Sequence, residues 1–429
     1  MIKILILALF SVAAFGIDYN EKNDLTGKIP GYPFSGSMYS GFIVVDNKTQ
    51  SNLFYHLYSF NQTNTSVSAP LVIWLQGGPG CSSLIADYVE FGPVYINQTG
   101  PNNFTYYRNP YTWNNYAHLL FVDQPTGTGF SVDRGLKVNS TAQAAQLFNV
   151  FLDRFFALFP ELKKNDLYIF GESYGGKYVP YFSYYLLNNA TFMSQVKLKG
   201  IGLGNGWSDP VTQVRTYANF GYAAGLIDQR ERDILSFQEA QVFDNIAKGN
   251  FWNATNISNT ILEEISQFAG NVSDLNFREY SDLDDGFANW LNSSQGQDAL
   301  GVPPTEYDMC NSDISDDFYN DNTQSVAYVY PTLFTKIPVL IYNGVDDDNC
   351  DYEGVINYLN MLNWPDVKKF RKSERKIWKI NNTVVGATKS YGNFTFAAIY
   401  NAGHMVPLDQ PAVALEMFRR FINNLPINP

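Results

Sequence analysis

The chain has 429 residues, and its 29 Lys and Arg against 41 Asp and Glu give a formal charge of −12, which argues against a basic nucleic-acid-binding surface. With 45% hydrophobic and 16% charged residues, it carries too much apolar surface and too little charge for a disordered polymer, so a large globular core is expected.

Residues 1–16 read as a cleaved secretory signal: Met-Ile-Lys precedes an apolar run over 4–15 that ends in the small-x-small triplet Ala14-Phe15-Gly16. The run stops short of the roughly 20 apolar residues a membrane span needs, and no later segment reaches that length. A mature chain in a lumen or outside the cell is expected. Asn-x-Ser/Thr sequons, which recur between Asn47 and Asn393, are usable there. The three cysteines, Cys81, Cys310 and Cys350, allow at most one internal disulfide. No Cys-x-x-Cys, His-Glu-x-x-His or Cys/His cluster is present, so neither a metal nor a cofactor is expected.

Apolar patterning predicts strands over 41–45, 53–58, 71–75 and 118–123, then a helix over 142–159 that stops before Pro160. A strand over 167–170 leads through a glycine-containing turn into an aromatic helix, which Pro180 is expected to kink or restart. Another strand covers 200–203. Strands alternating with helices argue for a mostly parallel sheet covered on both faces. From 207 to 323 the texture becomes polar and helix-leaning, as at 228–247 and 260–268, and reads as an inserted helical cap. The sheet pattern resumes at 337–342 and passes through a helix at 355–362. It closes with a strand over 396–400 and a helix over 412–422. The expectation is an α/β core in two parts, 17–206 and 324–429, flanking the cap.

Gly171-Glu-Ser-Tyr-Gly175 lies between a strand and a helix, the context in which Gly-x-Ser-x-Gly becomes a nucleophile turn: the glycines permit a sharp bend that lifts Ser173 above the sheet edge. A serine hydroxyl needs a general base, and the chain offers only His56, His118 and His404. His56 and His118 fall within or at the start of strands and read as hydrogen-bonded structural histidines. His404 follows a strand in the loop Asn401-Ala-Gly-His-Met-Val-Pro407 and is the expected base. The orienting acid should fall between serine and histidine in chain order, where Asp346, Asp347 and Asp348 follow a strand; spacing does not choose among them. Gln76-Gly-Gly-Pro-Gly80 also follows a strand, and the amides of Gly78 and Tyr174 are the expected oxyanion donors.

Four segments together, Trp74-Leu-Gln-Gly-Gly-Pro-Gly-Cys-Ser-Ser83, Asp123-Gln-Pro-Thr-Gly-Thr-Gly-Phe-Ser131, Gly171-Glu-Ser-Tyr-Gly-Gly176 and Ala402-Gly-His-Met-Val-Pro407, resemble the signatures of the serine carboxypeptidase family over about 39–421. The resemblance implies an α/β-hydrolase core with a helical cap, a lysosomal, vacuolar or secreted setting, and peptide or protein C-termini as substrates. It carries Ser173, His404, Gly78 and Tyr174 over in the roles above. It also selects Asp347, although Val345 stands where the family usually has a first aspartate. Recognition of the substrate carboxylate falls by the same overlay to Trp74, Gln76, Glu90 and Glu172, with Gln76 replacing the family's asparagine. Two adjacent glutamates cannot easily both ionise, so a protonated one donates to the carboxylate, and peptide hydrolysis is expected to be favoured at acidic pH. The resemblance further pairs Cys81 with Cys310, leaves Cys350 free near the site, and places Met405 on a side-chain pocket. An acyltransferase on the same scaffold and a non-catalytic binding or protective protein are the rival readings; the full serine, acid and histidine set argues against the latter.

Overall fold

The computed structural model describes residue 20 and residues 22–60, 69–278 and 285–428. The expected signal at 1–16 and the sequons at Asn61 and Asn64 lie outside the described residues. In chain order the strands are β1 (Asn23–Asp24), β2 (Met38–Val44), β3 (Asn52–Tyr58), β4 (Leu71–Leu75), β5 (Val94–Gly100), β6 (Asn103–Arg108), β7 (His118–Val122), β8 (Asp166–Ser173), β9 (Lys197–Gly206), β10 (Val339–Gly344), β11 (Lys376–Ile380), β12 (Thr383–Tyr391) and β13 (Phe394–Ile399). Eleven of them form one sheet in the order β1-β2-β3-β7-β4-β8-β9-β10-β13-β12-β11, while β5 and β6 pair separately as a hairpin. The run from β7 through β4, β8, β9 and β10 to β13 is parallel, and both flanks are antiparallel.

The central strands are buried on both faces, which is why they read as unbroken apolar runs. Successive side chains alternate between faces: Leu71, Ile73 and Leu75 of β4 join one core cluster, Val72 and Trp74 the other. The first cluster is closed by α1 (Thr141–Leu158) and α2 (Gly175–Leu187). Ser140 caps α1 by accepting from the Gln143 amide, and Ala144, Phe148, Phe151, Leu152 and Phe155 recur at helical spacing on its buried face. The second is closed by the helix Pro411–Ile422, whose Phe418 stacks on Trp113 at 4.3 Å while Phe91 stacks on the same indole at 4.0 Å.

α2 continues through Pro180 as one helix, so of the two expected outcomes, a kink or a restart, the restart does not occur. Proline removes the N–H that would bond the Gly176 carbonyl, but the Ser208 hydroxyl donates to that carbonyl instead, at 2.6 Å. Between β9 and β10 the described residues form helices and loops, including Tyr217–Ala224, Gln229–Ala247 and Phe251–Phe268. Asp228 starts the second of these with a reciprocal capping box to Glu231. The β5–β6 and β11–β12 hairpins are additions to the predicted elements. β11 and β12 are joined by Asn381 and Asn382, both at positive φ (49° and 66°), the conformation a two-residue hairpin turn needs.

This framework brings the predicted motifs to one edge. Gln76 to Gly80, Ser173, the three aspartates and His404 all lie at or just beyond C-terminal ends of parallel strands, where open α/β sheets form their sites. The close packing there is backbone on backbone: a Cβ on Gly171 would lie 2.4 Å from the Leu75 carbonyl oxygen. Gly171→Ala is therefore expected to destabilise the protein by about 1–3 kcal/mol, read as a lowered denaturation midpoint.

Candidate active site

Ser173 ends β8 with φ 59°, a left-handed conformation rare for a residue with a Cβ, and α2 begins two residues later. The loop after β4 presses against this bend: a Cβ on Gly77 would lie 2.5 Å from both the Ser173 Cβ and the Tyr174 amide nitrogen. Gly78, Ser173 and Tyr174 thus share the wall of one cavity of about 120 Å³, together with Trp207, Leu262 and Cys350.

The loop after β10 sorts the three aspartates. Asp346 pairs with Arg278 at 2.7 Å. Asp348 is buried, neither of its oxygens has a hydrogen-bond partner among the described residues, and burial with the neighbouring Asp347 and Asp274 charges pushes its pKa up to about 9. Asp347 is the one that meets the imidazole, with His404 Nδ1 2.9 Å from Oδ2. Its carboxylate also accepts from Asn205 Nδ2 at 2.6 Å and from the amides of Asn349 and Cys350 at 2.9 and 3.1 Å. His404 is 5% exposed, and its own amide donates to the Leu275 carbonyl at 2.6 Å. Burial alone would disfavour an imidazolium. The charge and hydrogen bond of Asp347, with the charges of Glu172 and Asp274, outweigh it and raise His404 to about 9. Among the described residues no hydrogen bond joins the Ser173 hydroxyl to the His404 ring.

The other two histidines have structural partners. His56 Nδ1 lies 2.7 Å from Asp87 Oδ2 in a fully buried pair, and His118 Nδ1 accepts from the Phe60 amide at 3.1 Å.

Beside the serine runs a buried polar chain. Trp74 Nε1 donates to Gln76 Oε1 at 2.6 Å, and Gln76 Nε2 donates to Glu172 Oε1 at 2.7 Å. The Gln76 backbone is held by its amide donating to Ser83 Oγ at 3.1 Å, and the Ser83 amide donates to the buried Asp123 at 3.0 Å. The longer arm of Gln76 therefore bridges indole and carboxyl. Glu90, at the end of the π-turn Ala86–Glu90, neighbours Glu172 closely enough that each shifts the other's titration. Both are fully buried, and both Glu90 oxygens and Glu172 Oε2 lack a donor among the described residues. Burial, then the Asp409 charge, pushes Glu90 up to about 8, the Glu172 hydrogen bond opposing; burial, then the Glu90 charge, raises Glu172 well above its ordinary value. A proton held between the two carboxyls would satisfy one oxygen of each.

The structure forms the Cys81–Cys310 disulfide and leaves Cys350 free and buried. Cys350 lines the serine cavity; Met405 is buried in the cluster with Trp74 and is not among the residues lining that cavity. Two further contacts were not apparent from sequence. Asn205 spans the Gly344 amide and Asp347, and its place in Gly204-Asn-Gly206 at a strand end is the local signal. Asp321 accepts from Tyr174 Oη and Thr141 Oγ1, each at 2.6 Å, and lies 3.6 Å from the fully buried Lys177. This knot ties the residue after the serine to the far end of the helical segment.

The serine carboxypeptidase family model matches residues 30–424. The serine carboxypeptidase S10 family member 1 of Dictyostelium discoideum is 36% identical over 400 residues, covering 90% of this chain and 94% of the relative. The venom serine carboxypeptidase of Apis mellifera is 34% identical over 403 residues, covering 90% and 85%. Among solved structures, a prohormone-processing carboxypeptidase from Saccharomyces cerevisiae superposes with a TM-score of 0.81 at 26% identity, covering 93% of this chain and 94% of that one. The fold is an α/β hydrolase, and the chain belongs to the serine carboxypeptidase family.

Proposed function

We propose that this enzyme removes the C-terminal residue of peptides through an acyl-enzyme on Ser173. The Ser173 hydroxyl attacks the last peptide carbonyl and His404 Nε2 takes its proton, while Asp347 holds Nδ1–H and so fixes the tautomer. The amides of Gly78 and Tyr174 receive the oxyanion. His404 then protonates the departing amino group, water attacks the ester with His404 again as base, and Ser173 regains its proton. The helices between β9 and β10 act as the cap: Ser258, Asn259 and Leu262 wall the serine cavity, and Leu275 holds the His404 amide. The reading includes passage through the secretory pathway, consistent with residues 1–16 as a signal and with the disulfide.

The observation that carries this proposal is the Glu90 and Glu172 pair, buried next to the serine and joined through Gln76 to Trp74. A protonated carboxyl donates to a substrate carboxylate; an ionised pair repels it. With the shared proton lost as pH rises through about 8, a peptide with a free C-terminus should lose kcat/KM on that side, whereas its C-terminal amide should not. Both substrates require neutral His404, whose pKa drops below about 9 while the pair holds its proton, because the Glu172 charge is one of the causes that raise it. The two substrates share this rising limb, and the peptide profile falls at lower pH than the amide profile. Paired pH profiles of kcat/KM test this; coincident falling limbs would contradict it.

A further inference from the structure

A second, larger chamber of about 480 Å³ adjoins the cavity at Ser173, and the two share Asn259, Leu262 and Asn349 in their linings. The carboxyl groups that would hold the departing residue do not line the serine cavity, which puts the acyl residue of the substrate on the Leu262 and Cys350 side. An extended peptide advances about 3.3 Å per residue, so the next residue upstream, P2, reaches the second chamber.

That chamber is polar and of one sign. Glu263 and Asp274 are the charged groups in its lining, among amides such as Gln267 and Asn349. Asp274 accepts from Asn349 Nδ2 at 2.7 Å, a neutral partner, and its charge reaches His404. Arg278, four residues on, is committed to Asp346. Among the described residues neither Glu263 nor Asp274 forms an ion pair with a lysine, arginine or histidine. The chamber thus presents two acids with no ion-pair partner among the described residues to whatever precedes the acyl residue.

We propose that this chamber is a P2 subsite selective for a cationic side chain, lysine or arginine, with Glu263 as a specificity-determining residue. The inference rests on the carboxypeptidase reading of the Ser173 site. Its test uses three N-blocked tripeptides with the same two C-terminal residues and Lys, Gln or Glu at P2, assayed at low ionic strength against the wild type, Glu263→Gln and Glu263→Lys. A solvent-exposed ion pair is worth a few-fold, and attraction and repulsion add, so the wild type should favour Lys over Glu by about tenfold in kcat/KM, with Gln between and the spread narrowing in salt. The Lys-to-Glu ratio should fall to about threefold in Glu263→Gln and drop below one in Glu263→Lys. Each ratio is taken on one enzyme preparation, so impaired folding cannot imitate the change. Release of the C-terminal residue without any charge order, or with the same order in all three enzymes, overturns the subsite alone. Failure to release it from any of the three peptides overturns the reading of the site itself.

Discussion

Ser173→Ala should lower kcat for a blocked dipeptide by roughly 10⁶-fold, leaving only the slow hydrolysis that binding and the oxyanion donors support. The reason is geometric. The bend that lifts Ser173 holds φ at 59° and is wedged by Gly77, so no other hydroxyl can take the same place. Asp347→Asn should cost about 10⁴-fold in kcat, because the carboxylate that accepts from His404 Nδ1 becomes an amide and the imidazole can settle in the wrong tautomer. The same substitution removes the charge and hydrogen bond that raise His404, so the rising limb of kcat/KM should move to lower pH. Steady-state kinetics across pH read both effects. A fall in kcat with an unmoved limb would separate Asp347 from the imidazole.

Glu90→Ala should cost kcat/KM for free-carboxylate peptides roughly 10²-fold, as expected for losing a charge-assisted hydrogen bond, while C-terminal amides lose far less. With Glu90 gone, Glu172 loses the neighbour that shares its proton and the like charge that raises it, so it ionises more readily and meets the substrate carboxylate as an anion. Glu90→Gln supplies a permanently neutral donor in nearly the same volume. It should recover part of the loss and weaken the alkaline fall of the peptide profile, since one of the two titrating carboxyls is gone. Equal losses for peptide and amide in Glu90→Ala would assign Glu90 to packing and remove it from carboxylate recognition.

The parts of the fold legible in the sequence are those written by local burial. β4 and β7 are continuous apolar runs because both faces are covered, and α1 repeats its phenylalanines at helical spacing because one face is. The β5–β6 hairpin, the edge strand β11 and its neighbour β12 escaped detection because they are half-exposed and mix polar with apolar side chains. That Pro180 does not restart the helix was not legible, because the donor to the Gly176 carbonyl comes from Ser208, on another element. Ser173 and His404 stand in short motifs at strand ends and were visible as such. Asp347 was not separable from Asp346 and Asp348 by spacing. The distinction is tertiary: Arg278 takes the first, the imidazole and Asn205 take the second, and burial isolates the third. The Asp321 knot was out of reach for the same reason, since its contact to Tyr174 spans 147 residues.

The central claim is a covalent intermediate on one hydroxyl. Mixing the enzyme with an activated ester substrate, quenching in acid within milliseconds and mapping the digest by mass spectrometry tests it directly. The peptide bearing Ser173 should carry the acyl mass in wild type and in no sample of Ser173→Ala. Acyl mass on Cys350, or C-terminal residue release by Ser173→Ala at the wild-type rate, would contradict the account.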